Sequence, residues 1–299
     1  MRVFVTGGTG YVGGAVVREL VAGGHEVKAL ARSAKGEQAL VELGAQPISG
    51  DLLDPRSYHD DAASSDAIIH AAYQYSTPEA LDATALVTLL RAARTGKASS
   101  FIYTCGLWVL GETGDRVVDE DEPLVSPAEI VRWRPAHERR ALEAASNGLA
   151  TAVIRPGIVY GGVGSYLADM YRSAEEKGAV VYIGEGNNHW SLVHLPDAAR
   201  LFRLVMEKEG AGVFHAVDEH PMRLMEVAET ASRAAGADGA ASNRPLEDAR
   251  NELGPVADAI VMDQKLAAVR SRELGWVPET PSYADGAEAD YREYSAAGD

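Results

Sequence analysis

The sequence predicts an α/β protein, built as a doubly wound parallel sheet with a smaller C-terminal lobe. Three observations predict this fold class. Short apolar runs alternate with segments of helical periodicity as far as residue 161, which is the pattern of parallel strands connected by helices. A glycine-rich turn joins the first run to the first helical segment. Beyond Gly161 the alternation gives way to polar loops and isolated helices.

The composition excludes several classes of partner and site. The 299 residues include 28 basic and 44 acidic side chains, and the net charge of -16 argues against nucleic acid or an anionic membrane as partner. The single cysteine, Cys105, excludes an internal disulfide, and no Cys/His spacing indicates a metal site. Because the first strand begins at residue 3 and no apolar run has membrane length, we expect a cytoplasmic protein. Monomer and homodimer both stay open.

The first elements are a strand at residues 3–5, a turn, and a helix over residues 11–21. Gly7, Gly10 and Gly13 have the spacing G-x-x-G-x-x-G, which allows a sharp turn, close approach of the backbone to a pyrophosphate, and close packing of helix on strand. Between a strand and a helix this motif predicts a dinucleotide site in a Rossmann-type sheet, and a turn without a ligand is the alternative. The predicted contacts are Gly7, Thr9, Gly10, Tyr11, Val12 and Gly13.

The second predicted strand, at residues 25–31, is followed by Arg32 and Ser33, where such a sheet meets the adenosine ribose. An acidic residue at this point binds the 2′-hydroxyl of NAD, whereas the donor fork of Arg32 suits a 2′-phosphate. The sequence therefore favours NADPH over NADH as cofactor. A solvated loop arginine is the alternative interpretation.

The third strand, predicted at residues 46–49 after a helix at 35–43, leads to Asp51 and Leu52, which we expect to border the adenine. For Asp54, a place in a turn and as the N-cap of the next helix is as good an interpretation as a place beside the adenine.

The fourth strand, at residues 67–72, is apolar throughout, as a strand buried on both faces should be. It ends in Ala71 and Ala72, whose small side chains leave room for a cofactor. Residues 73–75 then face the expected substrate side.

Two further acidic features are assigned local roles. The acidic run at 119–122 is interpreted as a solvated loop face. We expect Asp197 to cap a helix.

The remaining elements follow from the same patterns. The sheet domain should comprise residues 1–160 and about 190–217, and the lobe about 161–189 and 218–299. The predicted helices are 79–95, 136–146, 164–177 and one from Asp197; the predicted strands are 99–104, 151–155, 180–183 and 212–217; the predicted loops are 184–190 and 234–242.

Four motifs in order resemble those of the extended or atypical short-chain dehydrogenase/reductases, the NAD-dependent epimerase/dehydratase group. They are Thr6-Gly7-Gly8-Thr9-Gly10-Tyr11-Val12-Gly13, Phe101-Ile102-Tyr103-Thr104, Arg155-Pro156-Gly157-Ile158-Val159-Tyr160-Gly161 and Leu192-Val193-His194-Leu195-Pro196-Asp197. The resemblance covers nearly the full length. It implies that residues 157–159, with Gly157 and Ile158 foremost, touch the nicotinamide, and that segments around 161–190 and after 218 build the substrate lobe. Thr104 and Pro156 are further predicted cofactor contacts.

The family's proton donor is a tyrosine four residues before a lysine, and no Tyr-x-x-x-Lys occurs in this sequence. Counting back from Arg155, the pair falls either on Trp133 and His137 or on Ile130 and Arg134. The family's catalytic serine aligns with Gly106, so the resemblance implies that all three catalytic residues are absent.

Two classes of function remain open, together with a third that is disfavoured. One is an NADPH-dependent ketoreductase of a bulky, aromatic polyketide-like ketone, which takes its proton from substrate or water; tailoring ketoreductases of angucyclinones resemble this case. The other is a catalytically silent NADP-binding regulator. A nucleotide-sugar epimerase or dehydratase is disfavoured because it also needs the absent tyrosine.

Three residues are weak candidates for a replacement acid, and each has a structural alternative. Thr104 and Cys105 are the hydroxyl and thiol nearest to Gly106, but packing explains both. Histidine is the side chain whose ordinary pKa lies closest to neutrality, which makes His137 a candidate, and it suits a helix surface equally well. A flat polycyclic substrate would fit an aromatic wall, although core packing explains each of its members. The proposed wall consists of Tyr75, Trp108, Tyr171 and Trp190.

Overall fold

The computed structural model describes residues 1–74 and 77–298. Strands and helices alternate through the first half, as the apolar periodicity predicts. The strands are β1 (Arg2–Thr6), β2 (Glu26–Ala31), β3 (Gln46–Ser49), β4 (Ala67–His70), β5 (Ser100–Thr104), β6 (Val117–Val118), β7 (Ala150–Pro156), β8 (Ile158–Tyr160), β9 (Val180–Ile183), β10 (His189–Trp190), β11 (Leu192–His194), β12 (Gly212–Ala216), β13 (Met222–Arg223), β14 (Ala241–Arg244) and β15 (Lys265–Leu266).

Helices cover both faces of the sheet and form much of the C-terminal part. They are α1 (Tyr11–Ala22), α2 (Ala34–Glu42), α3 (His59–Ala63), α4 (Pro78–Thr95), α5 (Arg134–Leu142), α6 (Tyr166–Lys177), α7 (Leu195–Glu207), α8 (Leu224–Ala234), α9 (Leu246–Leu253), α10 (Val256–Ile260), α11 (Val269–Glu273) and α12 (Tyr283–Gly298). The sequence patterns missed α8 to α12. Within the described ranges no helix is long and apolar enough to cross a membrane.

The central sheet has seven strands in the order β12-β7-β5-β4-β1-β2-β3, all of them parallel. The predicted α/β fold class is therefore confirmed. The chain reverses its direction of winding between β1 and β4, and the carboxyl ends of strands at such a switch point form the usual ligand crevice of an open sheet.

Each face of the sheet has its own core. Val3 and Val5 of β1 join one apolar cluster with residues of α1 and α7, whereas Phe4 between them joins a second cluster with residues of α4. Successive side chains of a strand point to opposite faces, so three consecutive apolar residues suffice to bind helices on both sides.

One residue of the proposed aromatic wall lies in the interior, where α6 packs against α12. Tyr171 of α6 is fully buried, and its hydroxyl lies 2.9 Å from that of Tyr283 and donates to Asp290 Oδ2 at 2.7 Å. The placement of Tyr171 in a substrate wall is therefore wrong. Burial raises the pKa of the Asp290 carboxyl to about 6.

Two polar residues differ from their predicted roles. Asp197 lies inside the first turn of α7 and does not cap it, because its carboxylate accepts the backbone N–H groups of Glu279 and Thr280 at 2.8 and 3.0 Å. Glu120, within the acidic run, is buried and accepts the N–H of His215 at 3.1 Å. Both carboxylates thus anchor distant segments of the chain.

Candidate active site

The glycine loop between β1 and α1 has room for backbone only. Gly7 has a φ of +78°, and the N–H of Gly10 donates to its carbonyl oxygen at 2.8 Å. A Cβ on Gly7 would lie 2.5 Å from the carbonyl carbon of Ala71, and one on Gly13 would lie 2.2 Å from Gly7 O. The loop, the start of α1 and the segment after β4 therefore meet at one point.

The N-terminus of α1 is open to an anion. Within the described residues, its N-cap Gly10 makes no side-chain cap and the first turn contains no acidic residue. Thr9 and Gly10 are exposed, and Tyr11 and Val12 are half-buried. Free amides at the positive end of a helix dipole bind phosphate, so the residues present fit the pyrophosphate of a dinucleotide.

Arg32 lies next to this loop at the end of β2. Its side chain is exposed and has no hydrogen bond or ion pair within the described part of the chain. Ser33 caps α2 by accepting the N–H of Gly36 at 3.2 Å, and a Cβ on Gly36 would lie 3.3 Å from Thr9 Cγ2. The cap therefore holds the start of α2 against the glycine loop and leaves the guanidinium of Arg32 free for a ligand.

The predicted adenine contacts have structural partners of their own. Asp51 Oδ1 accepts the N–H of Leu53 at 2.8 Å, and Leu52 is buried with its carbonyl accepting from the Tyr58 hydroxyl at 3.3 Å. Asp54 caps the following turn by accepting the N–H of Arg56 at 3.2 Å. This loop is rigidly built beside the end of β2.

The nicotinamide end implied by the resemblance lies at the β7–β8 junction. Pro156, Gly157 and Ile158 are buried there, and a Cβ on Gly157 would lie 2.4 Å from Ser191 O. At the end of β4, Ala71 and Ala72 are half-buried. Tyr75, which is predicted to belong to the aromatic wall of the substrate site, lies outside the described residues.

A buried polar cluster lies between α4 and the ends of β4 and β5. Its centre is Asp82 of α4, which accepts the Tyr103 hydroxyl at 2.8 Å and lies 2.6 Å from His137 Nδ1 and 3.3 Å from His70 Nε2. Burial opposes the charge of Asp82, but the contacts with His137 and His70 outweigh it and lower the carboxyl pKa below its usual range. His70 Nδ1 in turn lies 2.6 Å from Thr6 Oγ1. The helix-surface alternative for His137 is therefore wrong.

Arg134, the first residue of α5, joins this cluster to the end of β5. Its Nη1 donates to the carbonyl of Thr104 at 2.9 Å and to the Tyr103 hydroxyl at 3.2 Å. The guanidinium lies over the rings of Trp133 and Tyr73, at 4.7 and 5.2 Å from their centroids. Arg134 is 7% exposed, so it is a nearly buried cation at the carboxyl edge of the sheet.

The two candidates beside Gly106 offer little acid chemistry. Thr104 Oγ1 is buried without a hydrogen-bond partner in the described chain. Burial raises the pKa of the Cys105 thiol well above its usual value, and Glu138 adds to this effect. Apart from its two chain neighbours, no atom of the described residues lies within 4 Å of a Cβ built on Gly106, so these residues leave the position of the family's serine unfilled.

An aromatic row extends from this edge toward the lobe. The Tyr166 ring lies 6.3 Å from that of Trp108 and 6.2 Å from that of Trp190. Tyr166 is 36% exposed, whereas Trp190 is buried and donates its indole N–H to Ile260 O at 2.8 Å. Trp190 thus supports Tyr166 from behind and does not face solvent, while Trp108 is half-buried.

Sequence reasoning missed Asp82 as a member of the site and considered Arg134 only as one register of the lost motif. A signal for Asp82 was present, because it interrupts the apolar stripe of α4 formed by Leu81, Ala85 and Leu89. An acidic residue on a buried helix face requires partners. For metals, no group of three potential ligands occurs among the described residues.

Comparison with known proteins gives the relationships of the chain. A profile described as the NAD dependent epimerase/dehydratase family matches residues 3–216. An uncharacterized protein of Saccharomyces cerevisiae is 30% identical over 302 residues, 97% of this chain and 99% of that protein. A Stigmatella aurantiaca protein named 4-hydroxy-2-methyl-3-oxo-4-farnesyl-3,4-dihydroquinoline-1-oxide ketoreductase is 29% identical, over 84% of this chain and 78% of its own.

Among solved structures, the UDP-glucose 4-epimerase of Thermus thermophilus in complex with NAD superposes with a TM-score of 0.84. The two chains are 21% identical, and the match covers 99% of this chain and 100% of the epimerase. At that identity the likeness concerns the fold, which carries many different reactions.

Proposed function

Because the chain belongs to the NAD-dependent epimerase/dehydratase family and is an oxidoreductase of that family, we propose that it is an NADPH-dependent ketoreductase of a bulky, polycyclic aromatic substrate. One observation carries the proposal. The dinucleotide cradle is complete, with Gly7, Gly10 and Gly13 in place, whereas α5 carries no phenol paired with an amine. A ketone reduction tolerates that loss better than an epimerisation, which must abstract a proton as well as return one.

The preference for NADPH rests on Arg32. It is exposed directly after β2, has no partner within the described residues, and follows the strand that pairs in parallel with β1, so it lies at the same edge of the sheet as the glycine loop. A guanidinium binds a 2′-phosphate in a bidentate manner that a ribose hydroxyl cannot match.

The chain's residues act mainly by positioning. The bound dinucleotide supplies the hydride. The glycine loop and the β7–β8 junction hold the two ends of the cofactor, and a correctly oriented donor and acceptor account for about 7–11 kcal/mol of barrier reduction. A side-chain acid adds only about 10²- to 10⁴-fold in rate. A substrate that activates its own carbonyl, or a water molecule, can therefore supply the proton.

The aromatic class of substrate is suggested by the exposed rings near the site. Tyr166 and Tyr73, 36% and 41% exposed, flank the edge at which Trp108 and Arg134 lie. Flat rings stack on such side chains. The similarity to a ketoreductase named for a dihydroquinoline substrate supports the same class.

The test is a titration with NADPH and NADH followed by absorbance measurements with a panel of polycyclic aromatic ketones. We expect tighter binding of NADPH and its oxidation by at least one ketone. Arg32→Ala should weaken NADPH binding by about 1.5–3 kcal/mol and leave NADH nearly unchanged. Arg94→Ala, a distant exposed arginine on α4, is the matched control. Equal loss for both cofactors would remove Arg32 from the site, and tight binding without any turnover would argue for a silent NADP-binding protein.

A further inference from the structure

Two buried arginines lie on the same side of the sheet, and they differ in their counter-charges. Arg155 of β7 forms a bidentate ion pair with Glu138, through Nε at 3.0 Å and Nη2 at 2.6 Å. Arg134 has no carboxylate within ion-pair distance among the described residues, and beyond Nη1 its N–H groups have no partner there. A nearly buried guanidinium that lacks an ion pair has strong capacity to bind an anionic oxygen.

The surroundings of Arg134 fix its position at the reaction edge. The Thr104 carbonyl that it binds closes β5, two residues before Gly106. The guanidinium lies 4.7 Å from the ring centroid of Trp133 and 5.2 Å from that of Tyr73, and Tyr73 is itself exposed three residues after β4. Through the Thr104 carbonyl, the cation is held two residues before Gly106, whose serine position the described residues leave unfilled.

Asp82 lies near the positive charge of Arg134 but does not contact the guanidinium directly. The Tyr103 hydroxyl donates to Asp82 at 2.8 Å and accepts from Arg134 at 3.2 Å, so the carboxylate reaches the guanidinium only through a phenol. The arginine is therefore held in place through Nη1, while its Nε and Nη2 groups have no partner among the described residues.

We propose that Arg134 binds the carbonyl oxygen of the substrate and stabilises the negative charge that develops there, a role that rests on the proposed ketoreductase function. As a hydride with its two electrons bonds to the carbonyl carbon, the π pair of the C=O bond moves to oxygen and forms an alkoxide. The ketone is reduced and the dinucleotide oxidised. A proton from water or from a substrate hydroxyl completes the alcohol, and Arg134 keeps its own protons throughout.

The kinetic test compares Arg134→Gln with Arg134→Lys and with Arg132→Gln, a control at an exposed arginine two residues away. Removing one preorganised donor to a developing oxyanion costs about 10²- to 10³-fold in kcat, and we expect this loss for Arg134→Gln. Arg134→Lys keeps the charge and should retain kcat within about tenfold. The NADPH dissociation constant should stay within about threefold of wild type in all three variants.

Two kinetic results would overturn the assignment. One is an Arg134→Gln enzyme whose kcat stays within about threefold of wild type. The other is a loss of NADPH affinity as large as the loss of kcat, which would make Arg134 a cofactor contact.

A binding test needs no turnover and separates this inference from the proposed function. Naphthoate and naphthamide have the same shape but differ in charge at the oxygen. In the presence of NADP⁺, the wild type should bind naphthoate at least about tenfold more tightly, the effect of a charged hydrogen bond, and Arg134→Gln should lose the preference. Equal affinities in the wild type would overturn the inference. If naphthoate binds in a manner that depends on Arg134 but no ketone oxidises NADPH, the proposed reductase function is rejected and the anion-binding role of Arg134 is retained.

Discussion

The glycine loop and the end of β5 lie at the same edge of the sheet, yet they are built by different means. The loop is backbone, and its geometry follows from the three glycines of one local motif. The end of β5 is a side-chain cluster assembled from β4, α4, β5 and α5, with Asp82 at its centre. The first region therefore depends on the absence of side chains, and the second depends on buried polar side chains that contact one another around Asp82.

Among the changes that distinguish the glycine loop from the cluster at the end of β5, Asp82→Ala should have the largest effect on the unfolding free energy. This change leaves His137 Nδ1 and the Tyr103 hydroxyl without their acceptor and removes the carboxylate that lies 3.3 Å from His70 Nε2. Breaking a buried cluster of this kind costs about 3–5 kcal/mol of unfolding free energy. Denaturant unfolding measures it, with Asp169→Ala as the control, because that exposed ion pair should contribute at most about 1 kcal/mol. Similar losses in both variants would contradict the account.

The same cluster has a defined response to acid. Because the native pKa of Asp82 is lowered, its stabilisation is fully present above its unfolded pKa of about 4 and is lost as pH falls further. The wild type should therefore lose stability below about pH 4 more steeply than Asp82→Ala.

The opposite pH response is expected of Asp290, where burial raises the carboxyl pKa to about 6. The protonated carboxyl of Asp290 favours the folded state. Its contribution to the unfolding free energy is complete below the unfolded pKa near 4 and is lost as pH rises through the folded pKa of about 6. The loss amounts to at most about 3 kcal/mol. Asp290→Asn should flatten the curve of unfolding free energy between pH 4 and 7, and curves that run parallel to wild type would refute this assignment.

Gly13→Ala tests the loop. Its Cβ would lie 2.2 Å from Gly7 O, so the loop must shift at a cost of about 1–3 kcal/mol, and NADPH affinity should fall on the order of 10- to 100-fold. Gly14→Ala is the matched control, because the nearest atom to its Cβ, Gly8 O, lies at 3.4 Å. Binding by calorimetry should separate the two, and equal affinities would show that the loop is not the cradle.

The smallest effect is expected from Gly106→Ser. The φ of Gly106 is 176°, which any residue adopts, and its Cβ position has no other described atom within 4 Å. Unfolding free energy should therefore change by less than about 0.5 kcal/mol. If the proton comes from substrate or water, kcat should change less than about tenfold. A rise of two orders of magnitude would mean that the lost hydroxyl limits the reaction.

The sequence predicted the loop region well because its information is local. The spacing of Gly7, Gly10 and Gly13 and the position of Arg32 after β2 both follow from neighbours in the chain. The parallel sheet followed from the alternation of apolar runs and helical periods for the same reason.

The cluster could not be predicted in this way. That Asp82 meets His137, and that Arg134 reaches Thr104, depends on how α4 and α5 dock on the sheet across 55 and 30 residues of sequence. The burial of Tyr171 likewise depends on α12, which carries Tyr283 and Asp290 and was not predicted as a helix. From the sequence alone, an aromatic residue is as consistent with the wall of a binding site as with the hydrophobic core, and only the packing distinguishes the two.

The most direct test of the central claim follows the hydride itself. NADPH deuterated at C4 of the nicotinamide is incubated with the enzyme and an aromatic ketone, and the product is analysed by mass spectrometry and NMR. With both C4 hydrogens replaced by deuterium, direct hydride transfer to the ketone predicts one deuterium on the carbinol carbon. An alcohol without deuterium, or deuterated NADPH that binds tightly and stays unoxidised across the ketone panel, would contradict the account.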